Sequence, residues 1–165
     1  MTKDMTTLKT AIIERFGTPC AVIDLDLVAR NIVKAQERCD AVGLANRPHI
    51  KTHKSPMLAN LQIKAGALGI TCQKLGEAEV MANAGITDII IATNLLGAAR
   101  SGRLAALQSH LPLKVCADNT VSLSAYSKAA DQAGRPMDVL IECDTGQKRA
   151  GVETPQQALA LARII

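Results

Sequence analysis

Aromatic side chains are nearly missing: the 165 residues include Phe16 and Tyr126 and no tryptophan. Proteins that hold nucleic acid need stacking rings beside a clustered basic surface. Here nineteen Lys and Arg are spread along the chain and the net charge is only +4, so no nucleic-acid partner is expected. The five cysteines (Cys20, Cys39, Cys72, Cys116 and Cys143) are odd in number and contain no C-x-x-C pair. That pattern argues against a disulfide scaffold and for a reducing compartment. No apolar run is long enough to span a bilayer. Lys3, Asp4, Lys9, Glu14 and Arg15 also break up any signal-peptide core. The expectation is a cytoplasmic protein with no membrane partner.

What remains is enough apolar material, 48% of the residues, for one well-packed domain. Short apolar runs alternate with longer helical patterns, the signature of βα units on a parallel sheet. Strands are expected at 20–26, 48–52, 68–73, 88–93, 114–118 and 138–144. Helices are expected at 26–42, 55–65, 76–84, 97–109 and 120–133, with a last one starting at Thr154-Pro155. Asp26 is read as opening the first of these, with Leu27, Ile32, Val33 and Ala35 as its apolar stripe. Ser55-Pro56 supplies a cap and a first-turn proline for the second, and Gly85 a stop for the third. From residue 48 the strands recur every twenty to twenty-five residues, a spacing shared by (β/α) barrels and doubly wound sheets. No G-x-G-x-x-G follows the first strand, which favours the barrel. About five βα units can be counted where a closed barrel needs eight, so the expected fold is an incomplete (β/α)8 barrel. The final ARII, with no capping glycine or polar tail, reads as the end of a fragment.

The most unusual stretch is RPHIKTHK, Arg47 to Lys54. Read as a strand, it turns Arg47, His49, Lys51 and His53 to one face and Pro48, Ile50 and Thr52 to the other. A lysine crowded by cations and partly buried is expected to lose its proton more easily, leaving a neutral nucleophilic amine. At the C-terminal end of a barrel strand that amine would open onto the active-site face. Three other readings stay open. His49 and His53 could bind a metal, although the strand pattern and the lack of a nearby acidic ligand speak against it. The cluster could be a basic loop that attracts phosphate, or a structural cation network with no chemistry.

RPHIKTHKSP, followed by ITCQKLGEAEVMANAGITDIIIATNLLG, KVCADN and DVLIECDTGQKRAGV, resembles the D-threonine aldolase and D-serine dehydratase family of pyridoxal-phosphate enzymes. The barrel of that family is similar to the alanine racemase N-terminal barrel. The resemblance runs from about Thr18 to the chain end, with its blocks in the family's order. It implies that residues 27–165 are part of a pyridoxal-phosphate-binding (β/α) barrel. Residues 1–26 would then carry a strand of a second, β-rich domain lying outside the chain.

The resemblance makes Lys51 the catalytic lysine that holds pyridoxal 5'-phosphate covalently. Gln73 would contact the cofactor from the side, Arg149 would bind its ring hydroxyl, and His49 and His53 are neighbours that could move protons. It further implies a lyase of D-3-hydroxy amino acids, with D-threonine aldolase ahead of D-serine dehydratase, acting as a homodimer in the full-length family. A noncatalytic pyridoxal-phosphate carrier is the alternative from another class. A divalent metal belongs to the family through a His-x-Asp or His-x-Cys pair near its C-terminus, and no metal ligand is expected in this chain. With the phosphate-binding loops also beyond the chain, little activity is expected from this piece alone. Asn94, Asp118 and Asp144 also fall at or beyond strand ends. For the aspartates and Asn119, a turn or helix-cap role is the plainer reading.

Overall fold

A computed structural model describes residues 5–165. The chain divides into two compact units, residues 1–31 and 32–165, with the boundary inside one helix. In the first unit, α1 spans Met5–Phe16, a helix with no counterpart among the sequence expectations. Gly17, at φ 73°, closes it by donating its amide to the Ile13 carbonyl at 2.9 Å. Residues 20–24 form no ladder here, because the strand expected at 20–26 has no partner for its backbone groups among the described residues, and its last two residues belong to a helix. α2, Leu25–Asp40, starts there instead. Its cap is Asp24, whose Oδ1 accepts from the amides of Asp26 and Leu27, both at 3.0 Å. Asp26, expected to open the helix, lies inside its first turn.

The second unit holds the sheet. Its strands are β1 (Ile70–Cys72), β2 (Ile89–Ile91), β3 (Leu113–Ala117) and β4 (Asp138–Ile141). All neighbours are parallel and their spatial order is their chain order. A doubly wound sheet reverses its order at a switch point, whereas a barrel adds each strand beside the last. The unbroken order therefore makes this an arc of a barrel. The connecting helices are α3 (Pro56–Lys64), α4 (Leu75–Asn83), α5 (Ala98–His110) and α6 (Thr120–Ala133), and α7 (Pro155–Ala162) follows β4. Ser55 and Thr154 cap α3 and α7 as expected, each with proline in the first turn.

Alternation along the strands decides where the core sits. Ile70 and Cys72, Ile89 and Ile91, and Leu113, Val115 and Ala117 are buried against Ala59, Leu75, Ala78, Met81, Leu104 and Tyr126 from the helices. The residues between them, Thr71, Ile90, Lys114 and Cys116, face the other side and are half-buried. β4 is the open edge, and Leu140, paired in register with Cys116, is 41% exposed. The stripe expected on α2 is not covered: Leu27 and Val33 are about half exposed, Ala35 is exposed and Ile32 is half-buried. The buried residue there is Gln36, donating to Asp40 at 2.8 Å and accepting from Asn46 at 3.1 Å. Among the described residues, no helix is long and apolar enough to cross a membrane.

Candidate active site

The expected strand at 48–52 shrinks to one bridge, His49 to Thr71, and the chain then winds into a 3-10 turn over Ile50–Thr52. His49 caps this turn by accepting the Lys51 amide, and Ile50 within it is fully buried. The predicted face of four cationic or imidazole groups therefore does not form. Arg47 turns to Asp88, donating Nη1 to Oδ1 at 2.9 Å and Nη2 to Oδ2 at 2.8 Å. Lys114 donates to the same carboxylate at 2.7 Å. The Arg47 guanidinium, opposed by partial burial and helped by Lys114, holds Asp88 below the usual carboxylate range. Lys51 itself is exposed, and among the described residues its ammonium has no ion-pair partner.

The two histidines are held by the backbone they flank. His49 Nδ1 accepts the Lys51 amide at 3.3 Å, capping the turn, and its Nε2 lies 3.3 Å from Gln73 Oε1. An amide can only donate, so Nδ1 is unprotonated and Nε2 carries the hydrogen toward Gln73. His53 Nδ1 likewise accepts the Ser55 amide at 3.0 Å. Its Nε2 and the Oε1 of Gln62 are both buried without a partner at hydrogen-bond geometry. Burial lowers the His53 pKa, and the nearby Gln62 side chain offsets part of that.

Gln73 follows directly on β1, and Glu77 fixes its backbone. Glu77 Oε2 accepts the amides of Gln73 at 2.8 Å and Lys74 at 3.3 Å, while Oε1 pairs with Lys54. Partial burial pushes the Glu77 carboxyl up, but Lys54 and the two amides outweigh it and leave it lowered. Lys54 sits at φ 50°, a left-handed conformation rare for a residue with a side chain. Glu77 lies in the first turn of α4, and nothing in the sequence tied it to Gln73.

Next along the sheet edge, Tyr126 locks β2 to β3. Its buried hydroxyl accepts the Leu95 amide at 3.0 Å and donates to the Cys116 carbonyl at 3.0 Å, and burial pushes its pKa up to about 12. Beside it, Asp118 Oδ1 accepts from Asn94 Nδ2 at 2.8 Å and Asn119 Nδ2 at 2.7 Å, and Oδ2 accepts the Gly151 amide at 3.0 Å. Partial burial raises the Asp118 pKa, but those donors, Gly151 foremost, hold it below the ordinary range. After β4 the chain leaves at Asp144 and returns at Val152, where the Asp144 amide donates to the Val152 carbonyl and the Val152 amide to the Glu142 carbonyl, both at 2.9 Å. Arg149 lies within this excursion, exposed and unpaired among the described residues.

Lys51, Gln73, Asn94, Asp118 and Arg149 thus line up along the C-terminal edge of the sheet, the edge where (β/α) barrels carry their chemistry. His49 joins Lys51 to Gln73 directly. Gln73 helps line a cavity of about 660 Å³ with Lys54, Glu77 and Asn94, whereas Arg149 lines another of about 700 Å³ with Asp118 and Asp144. Lys51 lines neither cavity. Among the described residues no group of three or more His, Cys, Asp or Glu could hold a metal ion.

The family model described as alanine racemase, N-terminal domain, matches residues 23–165. The D-threonine aldolase of Arthrobacter sp is 42% identical over 149 residues, 90% of this chain and 39% of that protein. The D-threo-3-hydroxyaspartate dehydratase of Delftia sp. (strain HT23) is 40% identical over 145 residues, 88% of this chain and 38% of that protein. The crystal structure of D-threonine aldolase from Filomicrobium marinum superposes with a TM-score of 0.85 at 37% identity, covering 88% of this chain and 40% of that one. The chain therefore spans about two fifths of the length of the relatives it matches.

Proposed function

The chain belongs to the alanine racemase N-terminal domain family, and on that premise we propose that it carries the cofactor lysine of a pyridoxal-phosphate-dependent lyase acting on D-3-hydroxy amino acids. The observation that carries this reading is Lys51: an exposed amine with no ion pair, on a turn whose backbone is fixed by the imidazole that also reaches Gln73. Such an amine fits an aldehyde cofactor, because no ion pair must be broken before it gives up a proton and attacks. Gln73 and Arg149 fit as side contacts, since each presents donors at the same edge and neither is taken up by an ion pair.

Bound pyridoxal phosphate would supply an electron sink for the negative charge left at the substrate's α-carbon. The protein's part is to hold and move protons around it. Both imidazole Nδ1 atoms are occupied by backbone amides, and the His53 Nε2 is buried. That leaves the Lys51 Nζ as the group in this segment free to accept or return a proton. Arg149, always charged, would favour a deprotonated oxygen on its side of the site. A homodimeric, cytoplasmic enzyme goes with this reading, as does a strand from residues 20–26 in a second domain of a longer protein.

The aldolase reaction, D-threonine to glycine and acetaldehyde, is the first choice. Dehydration of D-serine or a related hydroxy acid is the second, favoured by the nearly equal identity to the Delftia dehydratase over the same residues. A family metal would be supplied from outside the described residues. A longer protein that also carries the metal ligands and phosphate-binding loops, loaded with pyridoxal phosphate and a divalent cation, should release acetaldehyde from D-threonine. Keto acid and ammonia as the products would replace the first choice by the second, and cofactor uptake with no turnover of D-threonine or D-serine would favour the carrier reading.

A further inference from the structure

We infer that Asp118 is a positioning residue that holds the Arg149 loop in place and acts on cofactor binding through Arg149; this rests on the reading of Arg149 given above. Three donors converge on its two oxygens. Two of them are fixed by chemistry: a backbone amide at Gly151, and Asn119 Nδ2, because Asn119 Oδ1 is already taken by the Ser122 amide at 2.9 Å. A carboxylate suits donors on both sides, whereas a carboxamide would point its own NH2 at one of them.

The loop hangs between two such carboxylates. At its start, Asp144 Oδ1 accepts the amides of Gly146 at 2.8 Å and Lys148 at 3.1 Å. At its end, Gly151 turns its amide to Asp118 with φ 99°, and a Cβ there would lie 2.6 Å from both Asp144 N and Cys143 C. Arg149 stands between the two anchors, sharing with Asp118 and Asp144 the cavity of about 700 Å³. Asp144 is local to the loop, two to five residues from the amides it holds and from Arg149. Asp118 reaches in from β3, 33 residues away from Gly151 in sequence, and so is the anchor that sets the loop relative to the sheet edge.

Four forms of the chain test this: wild type, Asp118→Asn, Arg149→Ala and the double variant. Each is titrated with pyridoxal phosphate and digested with trypsin, which cuts after Lys148 and Arg149. Asp118→Asn should weaken cofactor binding about tenfold, the scale of one charge-assisted hydrogen bond. In the wild-type Arg149 background it should also speed cleavage at Lys148 and Arg149 severalfold while leaving other sites as slow as before. The double variant should bind no more weakly than Arg149→Ala. A further tenfold loss in the double variant, unchanged cleavage in Asp118→Asn, or faster cleavage throughout the chain would each overturn the proposal. If the wild type takes up no cofactor, the reading of the site fails and Asp118's part in binding with it, and loop cleavage then decides separately whether Asp118 is the anchor.

Discussion

The Lys51 turn and the Arg149 loop present the same thing by opposite means. Each holds an exposed, unpaired cation above a backbone tied down through its amides. Each contains a lysine in the left-handed region, Lys54 at φ 50° and Lys148 at φ 52°. In the turn the acceptors are neutral imidazoles, and Ile50 beneath is fully buried. In the loop they are carboxylates, and residues 145–150 are all exposed. The turn is therefore part of the core, and disturbing it should cost global stability. The loop is an appendage, and disturbing it should cost only local order.

Two substitutions of glycine by alanine break the comparison most sharply. Gly69 is buried, and a Cβ there would strike the Arg47 guanidinium and lie 2.5 Å from the Asp88 carbonyl oxygen. Gly69→Ala should destabilise the fold by about 3 kcal/mol, as overpacking of a tight site does, read as a lowered urea midpoint. Gly151→Ala meets backbone about as closely, at φ 99°, but beside an exposed loop that can give way locally, and its urea midpoint should move less than that of Gly69→Ala. Equal midpoint losses would show that the loop is as much a part of the core as the turn.

Acid should separate the two regions by smaller amounts. His53 has a lowered pKa, so the unfolded chain takes up the proton more readily. Its contribution is whole above the ordinary 6.5 and is lost as pH falls through the lower folded value. Asp118 and Asp144 are also lowered, from 3.8, so theirs is whole above 3.8 and is lost as pH falls through their folded values. Amide-exchange protection at Ser55 should thus decline as pH falls below the ordinary 6.5 and through the lower folded value, while that of Gly146, Lys148 and Gly151 should persist until the carboxylates titrate. Loss of protection in both segments over one pH range would contradict the assignment of their anchors.

The sequence was informative wherever periodicity or a cap controls the outcome. β1 to β4 and α3 to α7 fall where alternation, Ser55-Pro56 and Thr154-Pro155 put them. It misled where one residue overrides a pattern. The His49 imidazole caps a turn where a strand was expected, and Asp24 takes the capping place given to Asp26. Lys51 was singled out by the crowded RPHIKTHK segment itself, whereas Gln73 and Arg149 were singled out only by motifs that resemble a family. Their supports, Glu77, Tyr126 and Asp118, were not, since each works across 4 to 33 residues of chain through a specific oxygen. Turn chemistry at Asp118 looks local in sequence, and only the returning Gly151 amide gives it a distant partner.

The central claim is that Lys51 holds the cofactor, and it can be read chemically without any turnover. The protein is mixed with pyridoxal phosphate, reduced with borohydride and digested, and the residue bearing the added pyridoxyl mass is mapped. The label should sit on Lys51, and Lys51→Ala should carry none at equal cofactor concentration. A label spread over the exposed lysines, or one as heavy in Lys51→Ala as in the wild type, would contradict the account.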